Sequence, residues 1–228
     1  MSLKVTIILL ETSLETIPSP ISKHPSVLRD AEKRRKDPGK ILLDDSLHHQ
    51  AIASLKDGKK RGRPDIAHFC LISALDSRLS DYMNIYVHTI NNDLIWINNK
   101  TRLPRNYNRF KGLIEKLFEE RVIRNEEVLL KIVDKDLGCL LSSLKGIKIL
   151  MSGNGEKDED FFSKIKQEVV VCIGGFPHGN FSKETLRILN ENSFVKVSLG
   201  KESFTSNYVM NKVICILENL LKEKEQRI

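Results

Sequence analysis

Cysteine, tryptophan and membrane-length apolar runs are scarce in this chain of 228 residues, which holds 4 Cys and 1 Trp. Cys70, Cys139, Cys172 and Cys215 lie far apart, each in an apolar run, and none has CxxC or Cys/His zinc spacing. They read as buried free thiols in a reducing compartment, with no disulfide frame and no metal site. The apolar run from Leu3 to Leu10 is too short for a membrane span and lacks a signal-peptide cleavage pattern. A cytoplasmic protein without membrane association is therefore expected. Acidic residues are outnumbered, 30 against 37 Lys and Arg, so the net charge is +7 and an anionic partner is permitted. A hydrophobic content of 40% supports a buried core and excludes global disorder.

The excess of positive charge is local. Between Lys23 and Arg63 there are 12 Lys and Arg against 6 Asp and Glu. Two short stretches concentrate it further. Gly58-Lys59-Lys60-Arg61-Gly62-Arg63-Pro64-Asp65 sets arginines in a turn pinned by Gly and Pro. Thr101-Arg102-Leu103-Pro104-Arg105-Asn106-Tyr107-Asn108-Arg109-Phe110 repeats the theme. A planar guanidinium held in a rigid turn meets two phosphate oxygens at once, so both stretches point to a nucleic-acid-facing surface. Arg102, Arg105 and Arg109 have near-helical spacing and could form one stripe along a phosphate backbone; pairing with surface carboxylates is the alternative. Lys60 reads as part of a solvated charge run in preference to a substrate contact. Tyr107 can stack on a base or pack in the core. His48 and His49 read as structural.

The chain alternates short β-rich runs with helical patterns. Lys4 to Leu10 is a continuous apolar strand, and Ile41 to Asp44 looks like a second. Helices are expected over Val27 to Lys36, with Ser26 as its cap, then over His48 to Lys56 and onward from Pro64. Ile85 to Ile90 and Leu94 to Ile97 flank Asn91-Asn92-Asp93 as a hairpin, read as an excursion from the main sheet. Phe110 to Arg121 is amphipathic. In the last third, strands at Ile147 to Met151, Val169 to Ile173 and Phe194 to Val197 alternate with helices at Asp160 to Lys166, Lys183 to Leu189 and Ser206 to Lys224. That pattern means a parallel sheet covered by helices.

Each late strand ends at a polar or glycine-bearing loop: Ser152-Gly153-Asn154-Gly155, Gly174-Gly175-Phe176-Pro177-His178-Gly179 and Ser198-Leu199-Gly200-Lys201. In open α/β sheets, ligands bind beyond the carboxyl ends of strands. The three loops read as one shared pocket or as ordinary strand-to-helix turns. Gly174 and Gly179 have the outer spacing of a P-loop, but Asn180-Phe181 replaces its Lys-Ser/Thr. Gly153-Asn154-Gly155 lacks the third glycine of a dinucleotide fingerprint. Neither ATP nor NAD is indicated.

Several of these segments together resemble the family of pseudouridine-specific N1-methyltransferases that act on small-subunit ribosomal RNA, within the SPOUT superfamily of knotted methyltransferases. The likeness is carried by Leu42-Leu43-Asp44, His48-His49, Lys60 to Ile66, His68 to Leu71, Tyr86 to Thr89, Arg102 to Phe110 and Ile173 to Gly179, in order from about Ile41 to Leu217. The resemblance implies a single α/β domain over residues 1–228. Its features would be a mostly parallel sheet flanked by helices, a C-terminal trefoil knot and an inserted β-rich extension at about 80–104. It also implies a homodimer that binds S-adenosylmethionine, and it leaves room for small-subunit ribosomal proteins or assembly factors as partners. Carried over by motif, Met151, Gly174, Gly179, Leu199, Gly200, Ser203 and Phe204 would hold the cofactor. Arg61, Arg63, Arg102, Arg105 and Arg109 would hold RNA. The third loop, Gly200-Lys201-Glu202-Ser203-Phe204, departs from the family's usual Ser-Asn-Tyr-Pro-Leu.

In pseudouridine the glycosidic bond is to carbon, so ring nitrogen N1 is free but protonated. A carboxylate that accepts its hydrogen bond would help it attack a methyl group, and a nearby arginine would stabilise charge on the ring oxygens. By the resemblance these are Asp65 and Arg63. Asp65 also reads as a first-turn carboxylate of the helix that begins at Pro64. The competing reading is an RNA-binding ribosome-assembly factor in which methylation is secondary or lost.

Overall fold

A computed structural model describes residues 3–226. Its centre is β1 (Lys4–Thr12), in which every residue after Lys4 is buried. Such a strand needs cover on both faces and neighbours on both edges. It has them. β1 runs parallel to β2 (Met83–Thr89) on one side and to β7 (Glu168–Gly174) on the other; Ile7 pairs with Ile85 and with Val171. The strand pleat sends alternate residues to opposite layers. Val5, Ile7 and Leu9 join a core with α3 (Pro64–Leu75), α4 (Tyr107–Glu120) and α7 (Ser206–Glu225). Ile8 and Leu10 join α5 (Leu137–Ser143) and α6 (Lys183–Glu191).

The eight-stranded sheet has the order β4-β5-β3-β2-β1-β7-β6-β8. Strands β2, β1, β7, β6 (Ile147–Met151) and β8 (Val195–Val197) are parallel. Strands β3 (Leu94–Ile97), β5 (Val128–Val133) and β4 (Val122–Arg124) continue the sheet antiparallel. The hairpin is therefore no excursion, since its first strand is an inner strand of the main sheet. Ile85, Val87, Ile95 and Ile97 join the core of α3, α4 and α7, while Tyr86 and Leu94 face the opposite layer. Strands β4 and β5 and helix α5 were missing from the sequence reading.

Ile41 to Asp44 is not a sheet strand. The Pro38–Lys40 turn precedes it and Asp44 caps α2 (Asp45–Ile52), which leaves room only for a brief antiparallel bridge from Leu42 to Thr16. Helix α1 (Pro25–Arg34) is capped by His24 rather than by Ser26, and 159–164 is a short 3-10 turn. α1 and α2 close a small satellite core with Ile17, Ile41 and Leu43. Two thiol expectations change, because Cys139 and Cys215 are exposed while Cys70 and Cys172 are buried. No described helix is long and apolar enough to cross a membrane.

Candidate active site

The parallel strands deliver three loops to one end of the sheet. The first and third loops are locked to each other by backbone. Ser152 N–H donates to the Val197 carbonyl at 2.9 Å, and Ser198 N–H donates to that of Lys157 at 2.7 Å. Gly155 makes this possible. A Cβ there would stand 2.4 Å from Ser198 N and 2.5 Å from the Val197 carbonyl carbon, so no larger residue fits without moving backbone. The second loop is fastened to β1 by Gly175 N–H to the Leu10 carbonyl, 2.8 Å, and Ser13 N–H to the Gly175 carbonyl, 3.1 Å.

Between the loops lies a cleft of about 410 Å³. Met151, Gly174, Gly179, Leu199, Ser203 and Phe204 all line it. Gly200 does not; it forms the turn behind Phe204, its carbonyl accepting from the Ser198 hydroxyl. Ser152, Asn154, Pro177 and His178, named from sequence only as members of their loops, also line the cleft, as does Val209 of α7, which the sequence did not single out. Ile173, Val197 and Val209 give the lining its apolar part, and backbone, amide and hydroxyl groups its polar part, joined by His178, Lys201 and Glu202. Such a lining suits a nucleoside and offers no phosphate cradle.

A groove of about 960 Å³ lies against the same second loop. It shares Pro177 to Asn180 with the cleft, and its far side carries Lys59, Lys60, Arg61 and Arg63. Gly62 sets the turn that aims these residues. Its φ is +71°, and its carbonyl accepts from Asp45 N–H at 2.7 Å, docking the turn on α2. Pro64 then starts α3, and Asp65 falls in its first turn. Arg63 Nε and Nη2 donate to Asp65 Oδ1 and Oδ2 at 2.8 and 2.7 Å. This bonding raises the Arg63 pKa, against a smaller opposing effect of burial. Arg61 differs from expectation. Its fork is closed on the buried Glu15, with Nε to Oε1 at 2.7 Å and Nη2 to Oε2 at 2.5 Å, so it walls the groove without a free face for phosphate. Lys60 is likewise no solvated charge, being paired with Glu11 at 2.7 Å and only 15% exposed.

The second arginine stretch forms another surface. Arg102, Arg105 and Arg109 are all exposed, but they do not share a helical stripe. α4 begins at Tyr107, capped by Asn106, so Arg102 and Arg105 precede it outside the helix. Both line a groove of about 600 Å³, where Arg105 Nη2 also meets Asp76 Oδ2 at 2.9 Å. α3 connects the two stretches. His68, one turn beyond Asp65, contacts the Pro104 carbonyl through Nε2 at 2.7 Å and stacks on Phe110 at 4.3 Å between ring centres. Tyr107 donates its hydroxyl to Asp44 Oδ2 at 3.0 Å, and burial followed by the charge of Asp44 raises its pKa. Its ring packs near His68 at 5.9 Å. His48 is buried, with Nδ1 accepting from Asp44 N–H, while His49 is exposed beside Asp45. Among the described residues no group of three or more His, Cys, Asp or Glu could hold a metal ion.

A parallel sheet whose strand ends enclose a nucleoside-sized cleft, walled off from an arginine groove by a single loop, defines an α/β protein that sets a small ligand beside a polyanion. Comparison with known proteins makes this particular: residues 7–218 match the EMG1/NEP1 methyltransferase family, and the chain belongs to that family. It is 51% identical over 217 residues to the ribosomal RNA small subunit methyltransferase Nep1 of Archaeoglobus fulgidus, covering 95% of this chain and 97% of that one. It is 40% identical over 225 residues to the Nep1 of Pyrococcus furiosus, covering 96% and 98%. The crystal structure of Archaeoglobus fulgidus Nep1 bound to S-adenosylhomocysteine superposes with a TM-score of 0.88 at 49% identity, covering 96% of this chain and 98% of that one.

Proposed function

We propose that this chain is an S-adenosylmethionine-dependent methyltransferase of small-subunit ribosomal RNA that methylates N1 of a pseudouridine in an unpaired loop. The observation that carries this reading is the single wall, Pro177 to Asn180, between the nucleoside-sized cleft and the groove of Arg63. A methyl donor in one and a base from the other would meet across it. Backbone and hydroxyl groups around Met151, Gly174, Leu199 and Ser203 would hold the cofactor, with Phe204 closing one side. When bound, S-adenosylmethionine supplies a methyl group already activated on a sulfonium sulfur.

The chain's own residues position the nucleophile. As N1 takes the methyl group it would give its proton to a solvent water in the groove, since both Asp65 oxygens are engaged by Arg63. Arg63 presents its guanidinium to the ring oxygens, where negative charge grows as N1 loses its proton. Both Asp65 oxygens accept from Arg63, which favours Asp65 as the group that aims Arg63 over a freestanding base. Arg102, Arg105 and Arg109 extend the positive surface for the RNA backbone. The base must leave its stack to reach the wall, so an unpaired loop is the substrate.

The SPOUT assignment, the trefoil knot and a single domain belong to the same reading, supported by family membership and the parallel strand order. So does a homodimer. Phe69 on α3, one turn beyond Asp65, and Tyr208 on α7 are 55% and 49% exposed on two helices that pack together. A cytoplasmic location and ribosome-assembly partners are part of the same proposal.

The test is calorimetric titration with S-adenosylhomocysteine, followed by methyl transfer to a pseudouridine stem-loop and its uridine twin. Methylation of only the pseudouridine RNA is expected. RNA binding without cofactor binding would sink the enzyme reading in favour of an assembly factor.

A further inference from the structure

Glu11 is a buried carboxylate at the end of β1 that the mechanism above does not use. Its side chain is 8% exposed, and it holds a φ of +48°, in the left-handed region that a non-glycine residue enters at a cost. The strand register breaks here, between Leu9 and Thr12. The conformation is secured by Glu11 N–H donating to His88 Nδ1 at 3.3 Å, with His88 Nε2 against Asn92 Oδ1 at 3.1 Å. The side chain then reaches two separate segments. Oε1 accepts from Ser182 N–H at 2.7 Å, at the cap of α6. Oε2 accepts from Lys60 Nζ, also at 2.7 Å. Burial alone would raise the carboxyl pKa, but Lys60 and the Ser182 and Thr185 bonds outweigh it, so Glu11 stays ionised.

Lys60 carries the grip further. Its ammonium stands 4.2 Å from the Phe176 ring centre, and a Cβ on Gly179 would lie 3.2 Å from Lys60 Cε. Glu11 thus fastens the segment after the second loop at Ser182, and Lys60 holds the loop at Phe176 and passes close beside Gly179. We infer that Glu11 is a positioning residue for cofactor capture, fixing from two sides the loop that separates the cleft from the RNA groove. This rests on the reading of the cleft as the S-adenosylmethionine site.

The test is a cycle of Glu11→Gln, Lys60→Met and the double variant in the full chain, read by S-adenosylhomocysteine affinity without RNA. Gln still accepts from Ser182 N–H but offers Lys60 no charge. Each single change is expected to weaken binding about tenfold, and the double no more than either alone, because the pair acts as a unit. Stem-loop RNA affinity of Glu11→Gln should stay within about twofold of wild type. Wild-type protein that fails to bind S-adenosylhomocysteine overturns the cleft assignment itself. Wild-type binding with unchanged affinity in Glu11→Gln overturns this inference alone. So do multiplicative losses in the double variant, or a parallel fall in RNA affinity for Glu11→Gln. Should Glu11→Gln not fold, Lys60→Met decides, and unchanged cofactor affinity there overturns the inference.

Discussion

Arg63 and Asp65 stand two residues apart, and the turn at Gly62 with the helix start at Pro64 folds one back on the other as a doubly bonded pair. Asp65→Asn removes the charge that aims the guanidinium. Turnover should fall by about a hundredfold while RNA affinity holds, the loss expected when a preorganised charge is misdirected; single-turnover kinetics beside an RNA titration would check it. Arg102 is a different kind of residue, exposed and lining a groove far from that pair in sequence. Arg102→Ala should weaken RNA binding and lower the slope of log K against log salt by about 1. An unchanged slope would remove Arg102 from the phosphate contacts. The chemical type of all these arginines was legible in the sequence. Their partners were not, because Glu11 and Glu15, which bind Lys60 and Arg61, come from a strand end more than forty residues away.

At the scale of elements, α4 anchors the second arginine stretch through a buried polar network. Glu115 accepts two bonds from Arg34, one from Lys36 and one from Leu42 N–H, and its side chain is 1% exposed. These bonds tie α4 to the end of α1 and to the segment before α2. Glu115→Ala would leave Arg34 without its paired carboxylate, and it should cost roughly 3–5 kcal/mol in urea unfolding. A loss under 1 kcal/mol would show that solvent replaces the network. Asp44 does similar work, accepting from Lys111 at 2.7 Å and from Tyr107 at 3.0 Å while capping α2. The apolar patterns of α3 and α7 were readable in advance, since each covers a face of the sheet at helical spacing. Ile41 to Asp44 was misread because a short apolar run says nothing about its neighbours, and here the turn before and the cap after leave it too little length for a strand.

For the whole molecule, several buried groups make stability depend on pH. His48 and His88 have pKa values lowered from 6.5, chiefly by burial. A histidine kept neutral by the fold stabilises it fully above the unfolded value, and that contribution is lost as pH falls toward the folded value. Glu11, Asp44 and Glu115 are each depressed too, burial being outweighed by their cationic and hydrogen-bonding partners. Their contribution is present above about pH 4 and lost in stronger acid. Melting temperature should therefore decline in two stages, first below about pH 6.5 and again below about pH 4. A flat profile from pH 7 to 5 would mean that the histidines are not held neutral. Assembly is tested separately. If α3 and α7 form the dimer face, Phe69→Asp should shift sedimentation velocity from dimer to monomer without unfolding the chain, and an unchanged sedimentation coefficient would place the interface elsewhere.

The amino-acid order alone determined the local chemistry: the apolar strands, the helix starting at Pro64, the glycine loops after the late strands and the arginine turns. These depend on neighbours within a few residues, through steric limits, capping and periodicity. Only the tertiary structure decided which of them meet. It made the hairpin part of the main sheet, set Arg102 and Arg105 outside the helix, closed Arg61 on Glu15 and put one loop between cleft and groove. The reason is physical: strand pairing and buried ion pairs select partners by three-dimensional register and burial, which no local spacing encodes.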